Sequence, residues 1–250
     1  MPCLNQDLLF DIGKQLIEDG DSDAVIRFAL SGKESFQAMS KVFASVTTLK
    51  LYYNQYSIGW DKQCSTFQLG NGKNFSKFIF FHIGNCIKNL HIDGAMVVFV
   101  EFYQPLFKKL LAKKRNPFLS SIKDLTFNVS RFYASVEGMN QIAKYFTSLE
   151  SLNFIIRIGE YDNHFDSIGA EILNNISKIK KVINQSKKIP PKVTCSFYKF
   201  KKEMKFPDLK DCKFICSCFE PVESIPAFYC FQETLHSKSQ KTVLEVQISM

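Results

Sequence analysis

The chain has 250 residues, a formal net charge of +8, 46% hydrophobic residues and 22% charged residues. This composition is close to the average of soluble globular proteins, so it excludes a disordered chain and a membrane class. The longest apolar stretch, residues 94–100, is far shorter than the roughly 20 residues of a spanning helix. We therefore expect a globular protein without a transmembrane segment.

The first ten residues and the cysteines indicate the compartment. Residues 1–10 carry no basic residue before their apolar positions, and Asp11 follows at once, which is not the pattern of a secretory signal. The eight cysteines are irregularly spaced, as expected for reduced, buried thiols. We expect an intracellular protein, cytoplasmic or nuclear.

Apolar residues recur at helical spacing over residues 4–16. The stripe consists of Leu4, Leu8, Leu9, Ile12 and Leu16. Asn5 is a suitable N-cap, and Asp7 lies in the positive first turn. These residues predict an amphipathic helix whose stripe faces either this protein's own body or another chain.

Two further helices are predicted before residue 45. Asp21 or Ser22 can begin the second helix, and Ser31 with Glu34 matches a capping box at the start of the third. The predicted buried faces are Ala24, Val25, Phe28 and Ala29, and then Phe36, Met39, Val42 and Phe43. Because three short helices bury little surface alone, we expect them to complete their core against a partner.

This arrangement resembles the F-box, the three-helix module by which substrate receptors dock on the SKP adaptor of cullin-type (SCF) ubiquitin ligases. The family pattern of leucines matches the first stripe, and its later apolar, small, lysine and aromatic run matches Leu30, Ser31, Lys33 and Phe36. Asn5 stands where the family has proline, Gly13 where it has a large apolar residue, and Phe36 where tryptophan is common. The resemblance implies that the adaptor-binding residues are Leu4, Leu8, Leu9, Ile12, Leu16, Phe28 and Phe36.

A short apolar phrase recurs in the rest of the chain, with two apolar residues three apart and a third two further on. Its copies are Val46, Leu49, Leu51; Ile87, Leu90, Ile92; Ile122, Leu125, Phe127; Leu149, Leu152, Phe154; and, weakly, Leu209, Cys212, Phe214. Each phrase predicts one short strand of a stacked sheet, and the phrases resemble leucine-rich repeats. The steps between them are long and uneven against the roughly 20 to 29 residues usual in that family, so the repeat is irregular.

Helical spacing between the phrases predicts helices over residues 102–114, 136–146 and 168–183. Strand and helix then alternate, which is typical of parallel strands with helices along the outer face. After Pro190 and Pro191 the pattern becomes strand-like, for example at Leu244, Val246 and Ile248, and predicts a strand-rich C-terminal cap. The expected fold is α/β: an F-box-like three-helix module over residues 1–45, and a leucine-rich-repeat-like solenoid over residues 46–250.

The positions of the histidines and cysteines indicate a protein that is not an enzyme and has no cofactor. The four histidines lack neighbours in any catalytic motif order, and His91 is interpreted as a core or surface residue. Five residues contain enough soft ligands for zinc, but their spacing favours core thiols: Cys212, Cys216, Cys218, Cys230 and His236. We expect no metal site.

The sequence thus predicts the substrate-recognition subunit of a ubiquitin ligase, which binds a target protein on the repeat surface. Candidate surface residues are Tyr53, Asn128 and Arg157, and they do not identify the target. The alternative is a non-catalytic repeat scaffold that binds acidic protein or nucleic acid through its lysine clusters. These clusters are Lys108, Lys109, Lys113, Lys114 and Arg115; Lys178, Lys180, Lys181, Lys187 and Lys188; and Lys199, Lys201, Lys202 and Lys205. No stacking aromatic platform accompanies them, so a nucleic-acid partner is the less favoured of the two.

Overall fold

The computed structural model describes residues 5–52, 55–61, 63–68, 82–83, 87–93, 120–129, 136–158, 168–186, 188–199, 220–221, 228–237 and 240–249. These residues form a mixed α/β structure, as the sequence predicts at the level of fold class. They belong to two compact units, the first reaching Asp93 and including residues 120–122, the second beginning at Lys123. Each unit is described by itself.

Three helices and four strands of the first unit lie wholly within the described residues. They are α1 Gln6–Asp19, α2 Ser22–Leu30, α3 Lys33–Ser45, β1 Thr48–Leu51, β2 Gln55–Trp60, β3 Gln63–Gln68 and β4 Asn89–Asp93. Within the sheet their order is β3-β2-β1-β4. Strands β1 and β4 are parallel, whereas β2 is antiparallel to both β1 and β3.

Side-chain caps begin the first two helices, as predicted. The Asn5 side-chain oxygen accepts a hydrogen bond from the Asp7 amide at 3.0 Å. At α2 the cap is Asp21, not Ser22, because the Asp21 carboxylate accepts from the amides of Asp23 and Ala24. Each cap satisfies amide groups that have no partner inside the helix.

The predicted capping box at the third helix is wrong. Helix α3 begins one residue later than the motif requires, with Gly32 as N-cap and no side-chain cap hydrogen bond. The Ser31 hydroxyl instead donates to the Phe28 carbonyl at 2.8 Å and lies 3.0 Å from the Ser35 hydroxyl. Ser31 therefore closes the end of α2 rather than opening α3.

The buried side of α1 differs from the predicted stripe. Leu9, Gly13 and Ile17 are buried. Of these three, only Leu9 belongs to the predicted stripe, so the buried side is rotated by about one residue from the prediction. Gly13 faces Met39 and Val42 of α3, and the absence of a side chain lets the two helices approach closely. The amphipathic pattern predicted the helix correctly but not its rotation.

The end of α1 is bound to the β2–β3 hairpin, which the sequence did not predict. The Ser65 hydroxyl donates to the Glu18 carbonyl at 2.8 Å, and the Trp60 indole N–H donates to the Ser45 carbonyl at 3.1 Å. Tyr56 and Phe67 stack inside the hairpin with ring centroids 5.7 Å apart. The alternation of Tyr56, Ile58 and Trp60 was the available sequence signal.

In the second unit, two helices and six strands lie wholly within the described ranges. They are β5 Asp124–Val129, α4 Val136–Tyr145, β6 Ser151–Ile158, α5 Ile168–Gln185, β7 Lys192–Lys199, β8 Glu220–Pro221, β9 Phe228–Ser237 and β10 Gln240–Ser249. The sheet order is β5-β6-β7-β10-β9-β8, with parallel pairs from β5 to β10 and antiparallel pairs beyond. Helices α4 and α5 confirm two predicted helices, whereas the helix over residues 102–114 lies outside the described residues.

Four of the five predicted phrases lie on strands, namely β1, β4, β5 and β6. Parallel pairing aligns the middle leucines, Leu49 with Leu90 in the first unit and Leu125 with Leu152 in the second. Strands β7 and β10 continue the same register, since Leu152 pairs with Val193 and Val193 with Leu244. The fifth phrase, at Leu209, Cys212 and Phe214, lies outside the described residues.

The residues just before the strands repeat one backbone arrangement. The Thr47 carbonyl accepts from the amides of Lys88 and Asn89, at 2.8 and 3.1 Å. In the second unit the Lys123 carbonyl accepts in the same way from Glu150 and Ser151, at 2.8 and 3.0 Å. At these two places the apolar phrase therefore coincides with a strand and with the same backbone turn immediately before that strand.

Strand β5 of the second unit has an apolar side and a polar side. In the second unit, alternate residues of β5 are buried while those between them are half-buried, and α5 packs against β6 and β9. Lys180 of α5 forms an ion pair with Glu233 of β9. In the first unit α1 contacts β2 and β3. Strand alternation thus directs one set of side chains to the helices and the other set away from them.

Candidate functional site

The predicted adaptor residues on α1 fall into exposed and buried groups. Leu8 is 49% exposed and Ile12 is 37% exposed. Because they are four residues apart on one helix, they lie on the same side of α1. These are large apolar side chains that the described fold leaves in contact with solvent.

Other predicted positions are occupied by this protein's own packing. Leu9 is buried, with only 2% of its surface exposed, and Leu16 and Phe28 are half-buried. Leu4 lies outside the described residues. Leu9 therefore packs on the protein's own body, and Leu16 does so in part, as does Phe28, which was predicted on the buried face of the second helix.

Phe36 provides a third exposed apolar group, with 40% of its surface accessible. Its ring meets the His82 ring edge-to-face, with centroids 6.2 Å apart. Burial lowers the pKa of His82, which favours the neutral imidazole beside an aromatic ring. The sequence analysis missed His82, because no local pattern brings it next to α3.

Leu30, at the end of α2, is 76% exposed and was not among the predicted site residues, although the family pattern includes it. Burying a leucine, isoleucine or phenylalanine side chain completely is worth about 1.5–3 kcal/mol. Three helices that expose four such groups can therefore contribute binding energy to a protein partner. The outward-facing set is Leu8, Ile12, Leu30 and Phe36, called here the outer apolar set.

Half-buried polar side chains on the strands are a second candidate surface. In the first unit Lys50 lies between His91 and Ser57 in the strand register, and the His91 ring lies 6.3 Å from the Tyr52 ring. Burial is the main cause that lowers the pKa of His91; Lys50 lowers it further and Asp93 opposes the shift. His91 is half-buried on this side, in agreement with its predicted surface or core role.

In the second unit polar side chains bond across neighbouring strands. Ser196 donates to the Gln247 side-chain oxygen at 2.8 Å, and Gln247 in turn donates to Glu245 at 2.5 Å. Glu245 is also 2.8 Å from the Lys192 ammonium group. Asn153 donates to Thr126 at 3.4 Å. These bonds hold the polar side chains in place, which reduces the entropy lost when a ligand binds.

Two of the three candidate surface residues lie on the neighbouring strands β5 and β6, where Asn128 pairs with Ile155, two positions before Arg157. Asn128 is half-buried on β5, and Arg157 is exposed at the end of β6. Tyr53 lies outside the described residues. The structure therefore locates two of the three on strands of the second sheet.

The described cysteines and histidines form neither a metal-ligand cluster nor a disulfide. Among the described residues, no group of three His, Cys, Asp or Glu side chains could hold a metal ion. Cys230 is buried and His236 is exposed, whereas Cys212, Cys216 and Cys218 lie outside the described part of the chain. Cys64, Cys195 and Cys230 are free thiols, and complete burial strongly raises the pKa of Cys195, so this thiol is poorly suited to act as a nucleophile.

The lysine clusters are described only in part. Lys178, Lys181 and Lys188 are exposed, whereas Lys180 is paired with Glu233. The cluster at residues 108–115 lies outside the described residues, as do Lys187, Lys201, Lys202 and Lys205. No helix within the described ranges is long and apolar enough to cross a membrane.

Comparisons with protein-family models, with curated proteins and with solved structures gave no match for this chain.

Proposed function

We propose that this protein is the substrate-recognition subunit of a cullin-type (SCF) ubiquitin ligase. In this proposal the outer apolar set docks on a SKP adaptor, and the polar sheet surface binds a target protein. The finer fold proposed with it is an F-box-like three-helix module followed by a leucine-rich-repeat-like solenoid.

The observation that carries the proposal is the exposure of Leu8, Ile12 and Phe36 on helices whose inner sides are already filled. Leu9, Gly13 and Ile17 complete the inner side of α1, so exposed Leu8 and Ile12 are not needed to hold α1 in place. A solvent-exposed isoleucine or leucine is common singly, whereas several on consecutive short helices are typical of an interaction surface. The resemblance to the F-box pattern identifies the kind of partner.

The proposed mechanism requires no reactive group. Two binding surfaces on one chain hold a target near a ubiquitin-charged enzyme and raise its effective concentration there. The half-buried polar side chains Gln247 and Glu245 of β10, held by hydrogen bonds, suit hydrogen bonding to a protein surface. The protein then acts by position rather than by catalysis.

The test is co-purification of the chain with a SKP adaptor. The variant Leu8→Asp/Ile12→Asp places two charges where the proposal requires apolar contact, and we expect adaptor binding to weaken at least about tenfold, since burying an unpaired charge is costly. Both positions are exposed, so the fold should be retained, which circular dichroism and thermal unfolding would check.

A matched control is Gln37→Asp, which adds a charge at an exposed position of α3 that is not apolar. We expect it to bind the adaptor like the unmodified chain. Equal binding by the double variant, or no binding by the unmodified chain, would reject adaptor docking. A steep loss of partner binding with added salt would instead support the lysine-cluster alternative.

A further inference from the structure

A cavity lies between the end of α1 and the β2–β3 hairpin of the first unit. Its volume is about 360 Å³, which is within the range of small-ligand pockets. Glu18 and Trp60 line it, and Ile17 and Ile58, which are almost completely buried, lie beneath its surface. The proposed adaptor docking uses none of these four side chains.

Two hydrogen bonds hold the walls of this cavity in place. The Trp60 indole N–H donates to the Ser45 carbonyl at 3.1 Å, so the ring is fixed against the end of α3. The Ser65 hydroxyl donates to the Glu18 carbonyl at 2.8 Å, which attaches the last turn of α1 to β3. A ligand would therefore meet walls that are already positioned, which lowers the entropic cost of binding.

The cavity is suited to positive charge. Glu18 brings a carboxylate to its wall. The cavity also lies at the C-terminal end of α1, where the helix dipole is negative and the last turn contains no basic residue. The electron-rich face of an indole attracts cations more strongly than any other side-chain ring.

Lys14 shows that an ammonium group is attracted to these same two residues. Its Nζ atom lies 5.2 Å from the centroid of the Trp60 ring and 3.8 Å from a Glu18 carboxylate oxygen. The Lys14 side chain is 43% exposed, so its ammonium group remains in contact with water. Such exposed contacts are weak, and another cation can replace them.

We propose that this cavity binds an organic ammonium ion, whose charge lies between the Trp60 ring and the Glu18 carboxylate. Lys14 competes with this ligand from within the chain. The ammonium group can belong to a free amine or to a lysine side chain of a partner protein. The proposal is independent of adaptor docking.

The test uses the fluorescence of Trp60, the only tryptophan in the chain. We expect butylammonium chloride to change the emission saturably, at concentrations on the order of millimolar for a small ligand. Butanol has the same alkyl chain without the charge and should cause no saturable change.

Lys14→Met removes the internal competitor and should tighten butylammonium binding by about threefold or more. Glu18→Gln should weaken it by up to about fivefold, since it removes the carboxylate.

Asp11→Asn is the matched control for Glu18→Gln, because it removes an exposed carboxylate of the same helix outside the cavity. It should bind butylammonium like the unmodified chain. A second titration with N-acetyl-lysine methylamide separates the two sources: binding comparable to that of butylammonium indicates a partner's lysine, and much weaker binding indicates a free amine. The proposal is overturned if butanol and butylammonium act alike, or if Lys14→Met binds neither amine.

Discussion

Gly13 of α1 lies so close to Met39 of α3 that a Cβ atom added to Gly13 would come within 2.7 Å of the Met39 sulfur. The same atom would lie 3.2 Å from a methyl carbon of Val42. The F-box pattern has a large apolar residue at this position, whereas here the space is filled by α3 itself. The close packing of α1 on α3 thus depends on a residue that costs about 1 kcal/mol of helix propensity relative to alanine.

Gly13→Leu should lower the free energy of unfolding by about 1–3 kcal/mol, because the added side chain must force α1 and α3 apart. Gly13→Ala should cost much less, since the gain in helix propensity offsets a contact that the flexible Met39 side chain can partly relieve. Urea unfolding monitored by circular dichroism measures both changes. Asp11→Leu introduces the same side chain at an exposed position of α1 and should leave stability within about 0.5 kcal/mol. Equal stability of Gly13→Leu and Asp11→Leu would contradict the packing described here.

Gly59→Ala should destabilise the first unit by about 2 kcal/mol or more. A Cβ atom at Gly59 would lie 2.0 Å from the Gln63 carbonyl oxygen and 2.8 Å from the Cys64 Cα atom. Both are backbone atoms, so the β2–β3 pairing itself must open to admit a methyl group. Gly32→Ala is the comparison, since nothing lies within 4 Å of the corresponding Cβ position there. Thermal unfolding of the two variants checks the prediction, and a smaller loss for Gly59→Ala than for Gly32→Ala would refute it.

His91 should make the stability of the protein depend on pH. Burial lowers the pKa of His91 below its ordinary value of about 6.5, so the unfolded chain binds the proton more readily than the folded chain. The free energy of unfolding is therefore not reduced by His91 above about pH 6.5. It falls as the pH decreases from there towards the pKa of His91 in the folded protein. His91→Gln should have a shallower decrease over this range, measured by urea unfolding at a series of pH values. Part of the slope should remain, because burial also lowers the pKa of His82. Identical slopes for the variant and the unmodified chain would be evidence against this assignment.

Phe127 and Phe154 should be energetically coupled across the parallel strands β5 and β6. They are paired in register, their rings stack with centroids 6.0 Å apart, and both are buried. Each single change to leucine should destabilise the second unit, and a double-mutant cycle should give a coupling of about 0.5–1.5 kcal/mol. Thr126 and Asn153, one position earlier on the opposite side of the same strands, provide a comparison cycle with a weaker hydrogen bond at 3.4 Å. Additive effects of the two phenylalanine changes would show that the stacked geometry contributes nothing beyond burial.

Local patterns were sufficient to predict the helices and many of the strands. Asn5 and Asp21 cap α1 and α2, because their short polar side chains reach only the free amide groups in the first turn of the helix that follows. The apolar phrases predicted β1, β4, β5 and β6, since alternating apolar residues bury one side of a strand. Local patterns failed at Ser31, because its hydroxyl can cap either the end of α2 or the start of α3. In the structure it donates to the Phe28 carbonyl of α2. They also gave no indication that His82 contacts Phe36.

The sequence alone thus determined that this is an α/β protein, because hydrophobic periodicity is a property of neighbouring residues. Only the tertiary structure decided which side of each element is buried. In α1 the apolar stripe is wide enough for several rotations, and the close contact of Gly13 with α3 selects the one that buries Leu9 and Ile17 and exposes Leu8 and Ile12. That choice depends on packing between residues far apart in the chain, which no local pattern contains.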